Sequence, residues 1–431
     1  MPHNRHHSIP IKTTLSPNSS WTNNKNKVYI YLIYLVSPML ALIISVKNHK
    51  APWAKNILWL FVAFYGYTMV ISSEAMDASR YKDWFLQMAQ SDLTFTVFIE
   101  SLYSKDSQYV DVVQPFISFI ISKFTSRHEV LFLTFALVFG YFYSRNIWYL
   151  LNNSGTHIKK ENLLLIITFA FIIGFWQING FRMWTAAHVF FYGAIQYLLE
   201  KKEKGFIIAI FSILIHFSFI LPTILLLLFS LNKNRIQVYF WLFILSFLIS
   251  EINLSQVREF LENITPSFLM DRVNSYTNET YVENKLKRAE NLNWYIILYG
   301  KALKWTIFSF IIIIKYTGTN FIKSNKPLAN LFGFVLLFLA VANITSLVPS
   351  GGRFMTVASL FAVAFIFLYT QKTSLEKRIS KLYFFATPAL ILYCVVALRI
   401  GFDTIGLVTI LGSPITLLFS DFNLALIEII K

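Results

Sequence analysis

A few ionisable side chains interrupt the long apolar stretches of this sequence, and their types could do chemistry. Arg182 stands between two apolar runs, and Arg353 follows a Pro-Ser-Gly-Gly turn at the end of another. His216 is the only ionisable side chain within residues 205–232. A charge inside a membrane costs about 3 kcal/mol or more, so such residues are functional candidates by default.

Two arginines near the ends of apolar segments suit a bulky ligand with two negative charges. The planar guanidinium forks of Arg182 and Arg353 can hold phosphate oxygens bidentately. His216 can orient a sugar hydroxyl or take its proton near neutral pH. Asp77 and Asp111 are alternative groups for that step, and residue types alone do not decide among the three.

Residues expected to contact the substrate are aromatic or basic, because aromatic faces stack on sugar rings and basic groups attract phosphate. They are Tyr81, Trp176, Trp184, Arg80, Lys301, Lys304, Arg272 and Tyr276. Plainer interpretations exist for the candidates as well. The arginines could instead anchor helix ends at the membrane interface, and the aspartates could cap helices. The histidine could be a buried contact between two helices.

Several kinds of site are missing from the sequence. It contains no glycine-rich phosphate loop, no zinc motif and no pair of metal-binding carboxylates at helical spacing. A nucleotide-bound donor is therefore not expected. We expect no cofactor and no metal, since the arginines can supply the charge that a divalent ion would otherwise bring.

Composition predicts an all-α, polytopic integral membrane protein. Hydrophobic residues make up 56% of the 431 residues, charged residues make up 14%, and the mean hydropathy is +0.55. A soluble domain has about a quarter charged residues. Apolar runs near the length of a bilayer span recur along the chain and predict about 11–13 transmembrane helices.

The chain divides into a polar tail at residues 1–27, expected to be disordered, and a single membrane domain at residues 28–431. The tail does not resemble a cleavable signal. Cys394 lies inside an apolar run and is interpreted as a packing residue. The spans are predicted at residues 28–46, 56–73, 129–149, 162–181, 183–199, 205–231, 236–251, 293–315, 327–348, 354–371, 382–398 and 404–420.

The net charge of +16 is spread over short loops, which indicates membrane orientation and not a nucleic-acid partner. Basic loops at residues 144–161, 315–326 and 372–381 are expected in the cytoplasm. Acidic loops at residues 74–108 and 251–292 are expected outside. Alternation of the spans then requires that residues 205–231 turn back, with a break near Pro222, and that residues 109–124 do not fully cross.

The segment from Gly180 to Ala186, with His216-Phe217-Ser218 downstream, resembles the core of EpsG-type polysaccharide polymerases, bacterial membrane proteins related in role to Wzy-type O-antigen polymerases. Further short elements resemble that family in the same order: Asp77 with Tyr81, Asp111 to Pro115, and Gly352-Arg353-Phe354. The resemblance covers about residues 70–370. Met183 and Phe217 depart from the family pattern.

The resemblance implies a glycosyltransferase that joins undecaprenyl-diphosphate-linked repeat units into O-antigen or a similar polysaccharide. Its site would face the periplasm from the bacterial inner membrane. The implied partners are the lipid-linked oligosaccharide, membrane lipids and a chain-length-regulating membrane protein. A lipid-linked oligosaccharide flippase and an O-antigen ligase are alternatives, since the same residues could serve transport or a different acceptor.

Overall fold

The structure of the protein is a computed structural model. It describes residues 24–71, 76–91, 93–103, 111–155, 157–233, 235–249, 253–264, 270, 273–274, 277, 293–373, 377–418 and 424–430. The described residues form α-helices and short 3-10 segments, with one isolated antiparallel bridge between Gly406 and Ala425. Most of the predicted polar tail lies outside the described residues.

The helices follow one another without any sheet among the described residues, because a backbone in lipid must satisfy its own hydrogen bonds. They are α1 (Asn24–Val36), α2 (Pro38–Lys47), α3 (Ala54–Tyr67), α4 (Met76–Gln90), α5 (Phe95–Tyr103), α6 (Val113–Ser122), α7 (His128–Asn152), α8 (Lys160–Ile172), α9 (Phe181–Glu200), α10 (Glu203–Ile215), α11 (Ile220–Leu231), α12 (Ile236–Leu245), α13 (Leu254–Ile264), α14 (Trp294–Thr317), α15 (Thr319–Ser324), α16 (Lys326–Thr345), α17 (Gly352–Lys372), α18 (Lys377–Gly401), α19 (Leu407–Leu411) and α20 (Leu426–Ile430).

Six stretches of the described residues are long and apolar enough to cross a membrane. A span needs about 20 apolar residues, and shorter apolar helices accompany these six. The predicted all-α polytopic membrane protein is confirmed. The six stretches are His128–Asn152, Lys160–Glu200, Trp294–Thr317, Lys326–Thr345, Gly352–Lys372 and Lys377–Gly401.

The stretch that contains α8 and α9 is a helical hairpin. The 3-10 turn Phe175–Gly180 separates the two helices. Phe169 of α8 packs against Phe191 of α9 with ring centroids 5.2 Å apart, and the His188 ring lies 3.2 Å from the Ile173 carbonyl oxygen. The helices are therefore antiparallel, as their separation into two predicted spans requires, and His188 is a buried contact between them.

Helices α10 and α11 form a second hairpin, as the topology required. Tyr197 contacts both ends of it, since its ring lies 5.2 Å from the Phe206 ring and its hydroxyl accepts a hydrogen bond from Lys233 Nζ at 3.1 Å. The turn lies at residues 216–219, so the predicted break near Pro222 was slightly misplaced. Pro222 stands in the first turn of α11, where a proline is tolerated because its missing N–H has no helical partner.

Two further predicted segments are short or interrupted. Helix α6 has 10 residues and is about 15 Å long, about half of what a bilayer core requires, so its length is compatible with the prediction that residues 109–124 do not fully cross. The predicted span at residues 28–46 is divided between α1 and α2. Ser37 adopts an extended backbone conformation at the break, because Pro38 disfavours a helical residue before it.

The span predicted at residues 404–420 was wrong. This segment contains the five-residue helix α19 and a 3-10 turn, and it folds back on the end of α3. Thr404 and Thr409 form hydrogen bonds of 2.8 Å with Tyr65 and Thr68. Gly406, Gly412 and Pro414 interrupt the apolar run, since glycine and proline both disfavour a continuous helix.

The turns with basic residues gather at one end of the bundle, which we call the basic end. Lys159 Nζ donates to the Thr370 carbonyl at 2.7 Å, and Lys315 Nζ donates to Gln237 Oε1 at 3.0 Å. The opposite end, which we call the outer end, carries α4 to α6 and the turns of the α8–α9 and α10–α11 hairpins. The predicted catalytic residues described below lie at the outer end.

Candidate functional site

Five residues at the outer end form a connected polar group, which we call the arginine cluster: Tyr81, Asp111, Arg182, His216 and Ser218. Arg182 Nη1 donates to Asp111 Oδ2 at 3.2 Å, and Arg182 Nε donates to Tyr81 Oη at 3.2 Å. Tyr81 and Asp111 are buried, and 19% of the Arg182 side chain is exposed. The cluster therefore holds a largely buried ion pair.

Asp111 connects three parts of the fold. Its Oδ2 binds Arg182 at the start of α9, while its Oδ1 accepts the Phe217 N–H at 2.7 Å in the turn of the α10–α11 hairpin. The neighbouring Val112 N–H donates to the Leu214 carbonyl at 3.1 Å. Both carboxylate oxygens thus accept hydrogen bonds, and these bonds offset the free-energy cost of burying the carboxylate.

His216 is oriented by Ser218. The Ser218 N–H lies 3.2 Å from His216 Nδ1, and the Ser218 hydroxyl lies 2.8 Å from the same atom. A backbone N–H can only donate, so Nδ1 is the acceptor and the neutral ring carries its proton on Nε2. This geometry favours His216 as a hydrogen-bond donor to a ligand, and its predicted service as a proton acceptor stays a prediction.

Gly180 allows two side chains to approach the start of α9. A Cβ atom at this position would lie 2.9 Å from Trp184 Cδ1 and 3.9 Å from Asp77 Oδ2. Any larger residue would therefore displace the tryptophan ring. Asp77 forms an ion pair with Arg80 on the first turns of α4, where both side chains are substantially exposed.

A cavity of about 380 Å³ lies beside the first turn of α9, and we call it the aromatic cavity. Its volume falls within the range of about 300–1,000 Å³ that holds small ligands. Its wall includes the predicted residues Trp176, Trp184 and Lys304. Tyr299 and Tyr393 also line it, stacked with centroids 5.4 Å apart.

The three predicted basic residues near this cavity have different environments. Lys304 lines the cavity and donates to Asn343 Oδ1 at 2.7 Å. Lys301 is exposed and does not line the cavity. Arg353 is exposed beside Gly352, which does line the cavity, and its guanidinium makes no ion pair with the described residues. Arg353 is therefore an available cation at the rim.

Two predicted substrate-binding residues, Arg272 and Tyr276, lie outside the described residues. The sequence prediction that they contact substrate stays a prediction. Most of the predicted acidic outer loop at residues 251–292 also lies outside the described residues, which in this range are 253–264, 270, 273–274 and 277.

Sequence reasoning missed part of the aromatic cavity. Tyr299, Tyr393, Gln177 and Thr356 all line it. Tyr299 lies on the same helix as Lys304, five residues earlier, so a search for aromatic residues near charged ones could have found it. Tyr393 has no comparable signal, because it stands within an otherwise ordinary apolar run.

The electrostatics of the cluster keep Tyr81 neutral. Burial raises the pKa of the Tyr81 phenol above its ordinary value, and the adjacent Arg182 guanidinium opposes this with a smaller effect. The protonated phenol accepts the Arg182 hydrogen bond through its oxygen. Among the described residues, no group of three His, Cys, Asp or Glu side chains is placed to hold a metal ion.

Arg182 retains capacity to bind an anion. Its guanidinium carries five N–H donors, of which two are directed to Asp111 and Tyr81. Those two bonds fix the plane of the guanidinium at the start of α9. The remaining donors can bind phosphate oxygens, and the aromatic cavity, which Gln177 and Trp184 from the same part of the chain line, can hold a sugar.

The fold and the site define a polytopic helical membrane protein with a fixed arginine and an aromatic cavity at one end of its bundle. The EpsG family profile matches residues 56–407, and the chain belongs to the EpsG family. No curated protein and no solved structure matches the chain.

Membership in the EpsG family confirms the resemblance inferred from the short motifs around Arg182 and His216. It indicates a polysaccharide polymerase-type function, in a class of glycosyltransferase-like membrane proteins. The matched residues include the whole arginine cluster and the lining of the aromatic cavity. The site described above therefore lies within the part of the chain that defines the family.

Proposed function

We propose that this protein joins undecaprenyl-diphosphate-linked oligosaccharide repeat units into a long surface polysaccharide, O-antigen or a similar polymer. The observation that carries the proposal is the fixed Arg182 beside the aromatic cavity in a chain of the EpsG family. A hydroxyl of the incoming unit forms a bond to the anomeric carbon of the growing chain. The bond from that carbon to the lipid diphosphate breaks, and the hydroxyl loses its proton.

The proposed site faces the periplasm of a bacterial inner membrane. Short loops rich in lysine and arginine stay in the cytoplasm. The basic end of the bundle carries those turns, so the outer end with the arginine cluster lies on the other side. Lipid-linked repeat units would bind to the site on that side of the membrane, and the reaction would need no nucleotide.

The leaving diphosphate carries the largest negative charge in the reaction. Arg353 at the rim, Lys304 in the wall and the remaining donors of Arg182 would stabilise that charge as it develops. Arg182 and Arg353 together can supply what a divalent cation supplies in other phosphate-releasing enzymes. Sugar rings would stack on Trp184 and Tyr299 in the aromatic cavity.

The acceptor hydroxyl needs a hydrogen-bond partner and a group to take its proton. Both oxygens of Asp111 are occupied, so we assign it to holding Arg182. Nε2 of His216 would donate to the acceptor or to the leaving phosphate. Asp77 is partly exposed and borders the start of α9 through Gly180, so we assign proton acceptance to Asp77.

Deletion of the gene in its own host tests the function. Gel analysis of the surface polysaccharide should then show single repeat units on the lipid core, and the intact gene should restore long chains. Complete absence of units on the core would contradict polymerisation and indicate a ligase. Lipid-linked precursor retained on the inner side would instead indicate a flippase.

The proposed independence from metal can be tested with purified protein. Polymerisation of lipid-linked units should continue in excess chelator and should fail in a variant with Arg182→Ala and Arg353→Ala. Loss of wild-type activity in chelator, restored by a divalent cation, would show that a metal supplies the charge. Full activity of the double variant in chelator would remove both arginines from the mechanism.

A further inference from the structure

A second cavity, of about 540 Å³, lies at the basic end of the bundle, far from the arginine cluster. Helices α12, α14, α15 and α16 enclose it together with the turn before α12. Four basic side chains line it, and we call it the lysine cavity: Lys233, Lys315, Lys323 and Lys326. None of its described lining residues is an aspartate or glutamate.

The four lysines differ in how they are held. Lys233 donates to the Tyr197 hydroxyl at 3.1 Å, and Lys315 donates to Gln237 Oε1 at 3.0 Å. Lys323 and Lys326 are exposed and make no hydrogen bond or ion pair with the described residues through their ammonium groups. Four like charges around one cavity repel one another unless an anion lies among them.

The wall of the lysine cavity is partly apolar, and exposed apolar side chains of α12 lie next to it. Ile236, Ile322 and Phe332 line the cavity. Next to it on α12, Trp241 is 52% exposed, and Tyr316 at the end of α14 is 70% exposed. In membrane proteins, exposed tryptophan and tyrosine side chains are enriched at the boundary between lipid tails and headgroups.

We propose that the lysine cavity binds the phosphate group of an anionic phospholipid from the adjacent leaflet. The ammonium groups would surround the phosphate, and the acyl chains would lie along the exposed apolar face of α12. A soluble phosphate shares the charge but would gain nothing from the apolar wall. Basic pockets between transmembrane helices are suited to such headgroups.

The test uses the full-length protein, purified and delipidated in a neutral detergent. Phosphatidylglycerol or phosphatidylcholine is added back, and bound lipid is counted by native mass spectrometry. The wild type should bind phosphatidylglycerol more tightly than phosphatidylcholine. The double variant Lys323→Gln/Lys326→Gln should bind it about 25-fold more weakly, since each lysine near an anionic headgroup contributes about fivefold. Neither substitution removes a described side-chain hydrogen bond.

The matched control is Lys204→Gln/Lys372→Gln, which removes the same charge from exposed positions at the same end. It should bind phosphatidylglycerol as the wild type does, and Lys323→Arg/Lys326→Arg should also retain binding. Melting curves in phosphatidylcholine verify folding, and the single variant Lys326→Gln serves if the double variant unfolds.

Three results would overturn the proposal. One is unchanged affinity of the folded Lys323 and Lys326 glutamine variants. Another is an equal loss in the control, which would indicate only general charge attraction. The last is displacement of phosphatidylglycerol by an equal concentration of inorganic phosphate, which would assign the cavity to a soluble anion.

Discussion

Arg182 and Arg353 have similar positions in the sequence and different environments in the structure. Each follows a glycine-containing turn at the outer end and begins a long helix. Arg182 is largely buried and bound to Asp111 and Tyr81, whereas Arg353 is exposed at the rim of the aromatic cavity. Arg182 is therefore a cation held in a fixed orientation, whereas Arg353 is a cation available to a ligand.

This difference predicts that substitution of Arg182 lowers both stability and activity, whereas substitution of Arg353 lowers activity alone. Removing one member of a buried ion pair leaves the other charged and unpaired, which is expensive because water cannot solvate it. Removing an exposed cation leaves no such defect. Variants of the two arginines should therefore differ in melting temperature, even where both variants make shorter polymer.

The largest effect is expected for Arg182→Ala. It leaves the buried Asp111 carboxylate without its cation, at a cost of about 3–5 kcal/mol of unfolding free energy. Loss of a fixed donor at the reaction centre should also reduce polymerisation by about 100-fold or more. The melting temperature of purified protein and the chain length in the surface polysaccharide measure the two effects.

The double variant Arg182→Ala/Asp111→Asn is the control for stability. It removes both charges and keeps an oxygen that accepts the Phe217 N–H, so it should regain much of the lost melting temperature while remaining inactive. If the single and double variants melt together, the ion pair does not carry the stability assigned to it. The comparison between the two arginines would then lose its basis.

Arg353→Ala should reduce polymerisation by about 10- to 100-fold, which corresponds to one or two hydrogen bonds to a charged phosphate. The melting temperature should not change, because no described ion pair is lost. Arg353→Lys should keep part of the activity, since it retains charge and loses the bidentate fork. Normal long chains in Arg353→Ala would exclude this residue from diphosphate binding.

Gly180→Ala tests whether the arginine cluster and the aromatic cavity must meet at the start of α9. The added Cβ would lie 2.9 Å from Trp184, so the ring must move at a cost of about 1–3 kcal/mol. Activity should fall about tenfold through the displaced wall of the cavity. In the control Gly300→Ala the Cβ meets no atom within 4 Å, so its melting temperature should not fall.

The sequence was sufficient for much of the fold because the bilayer reduces the choices. Apolar length and basic loops predicted the reversals at α8–α9 and α10–α11, and hence a shared end for Asp77, Asp111, Arg182 and His216. The segment at residues 404–420 was misassigned because hydropathy does not record that glycines and a proline let it fold back on α3. Its threonines, Thr404 and Thr409, form hydrogen bonds with Tyr65 and Thr68, which are distant in sequence.

The pairing inside the site was beyond sequence reasoning. Asp111 and Arg182 are separated by 71 positions, and nothing in either local motif distinguishes a free arginine from a paired one. Sequence treated Arg182 and Arg353 as equal ligands of one diphosphate. Which of them is buried depends on how α4, α6 and α9 pack, and that is a property of the assembled bundle.

The smallest effect is expected for Tyr81→Phe, which removes one hydrogen bond to Arg182 and keeps the ion pair with Asp111. A single such bond contributes about 1 kcal/mol, so activity should fall about fivefold. Burial raises the pKa of Tyr81, so the phenol stays protonated between about pH 6 and 9. The pH profile of polymerisation in that range should therefore keep its shape in the variant. A profile that shifts would mean that Tyr81 exchanges a proton during the reaction, and Arg182 would then be fixed by Asp111 alone.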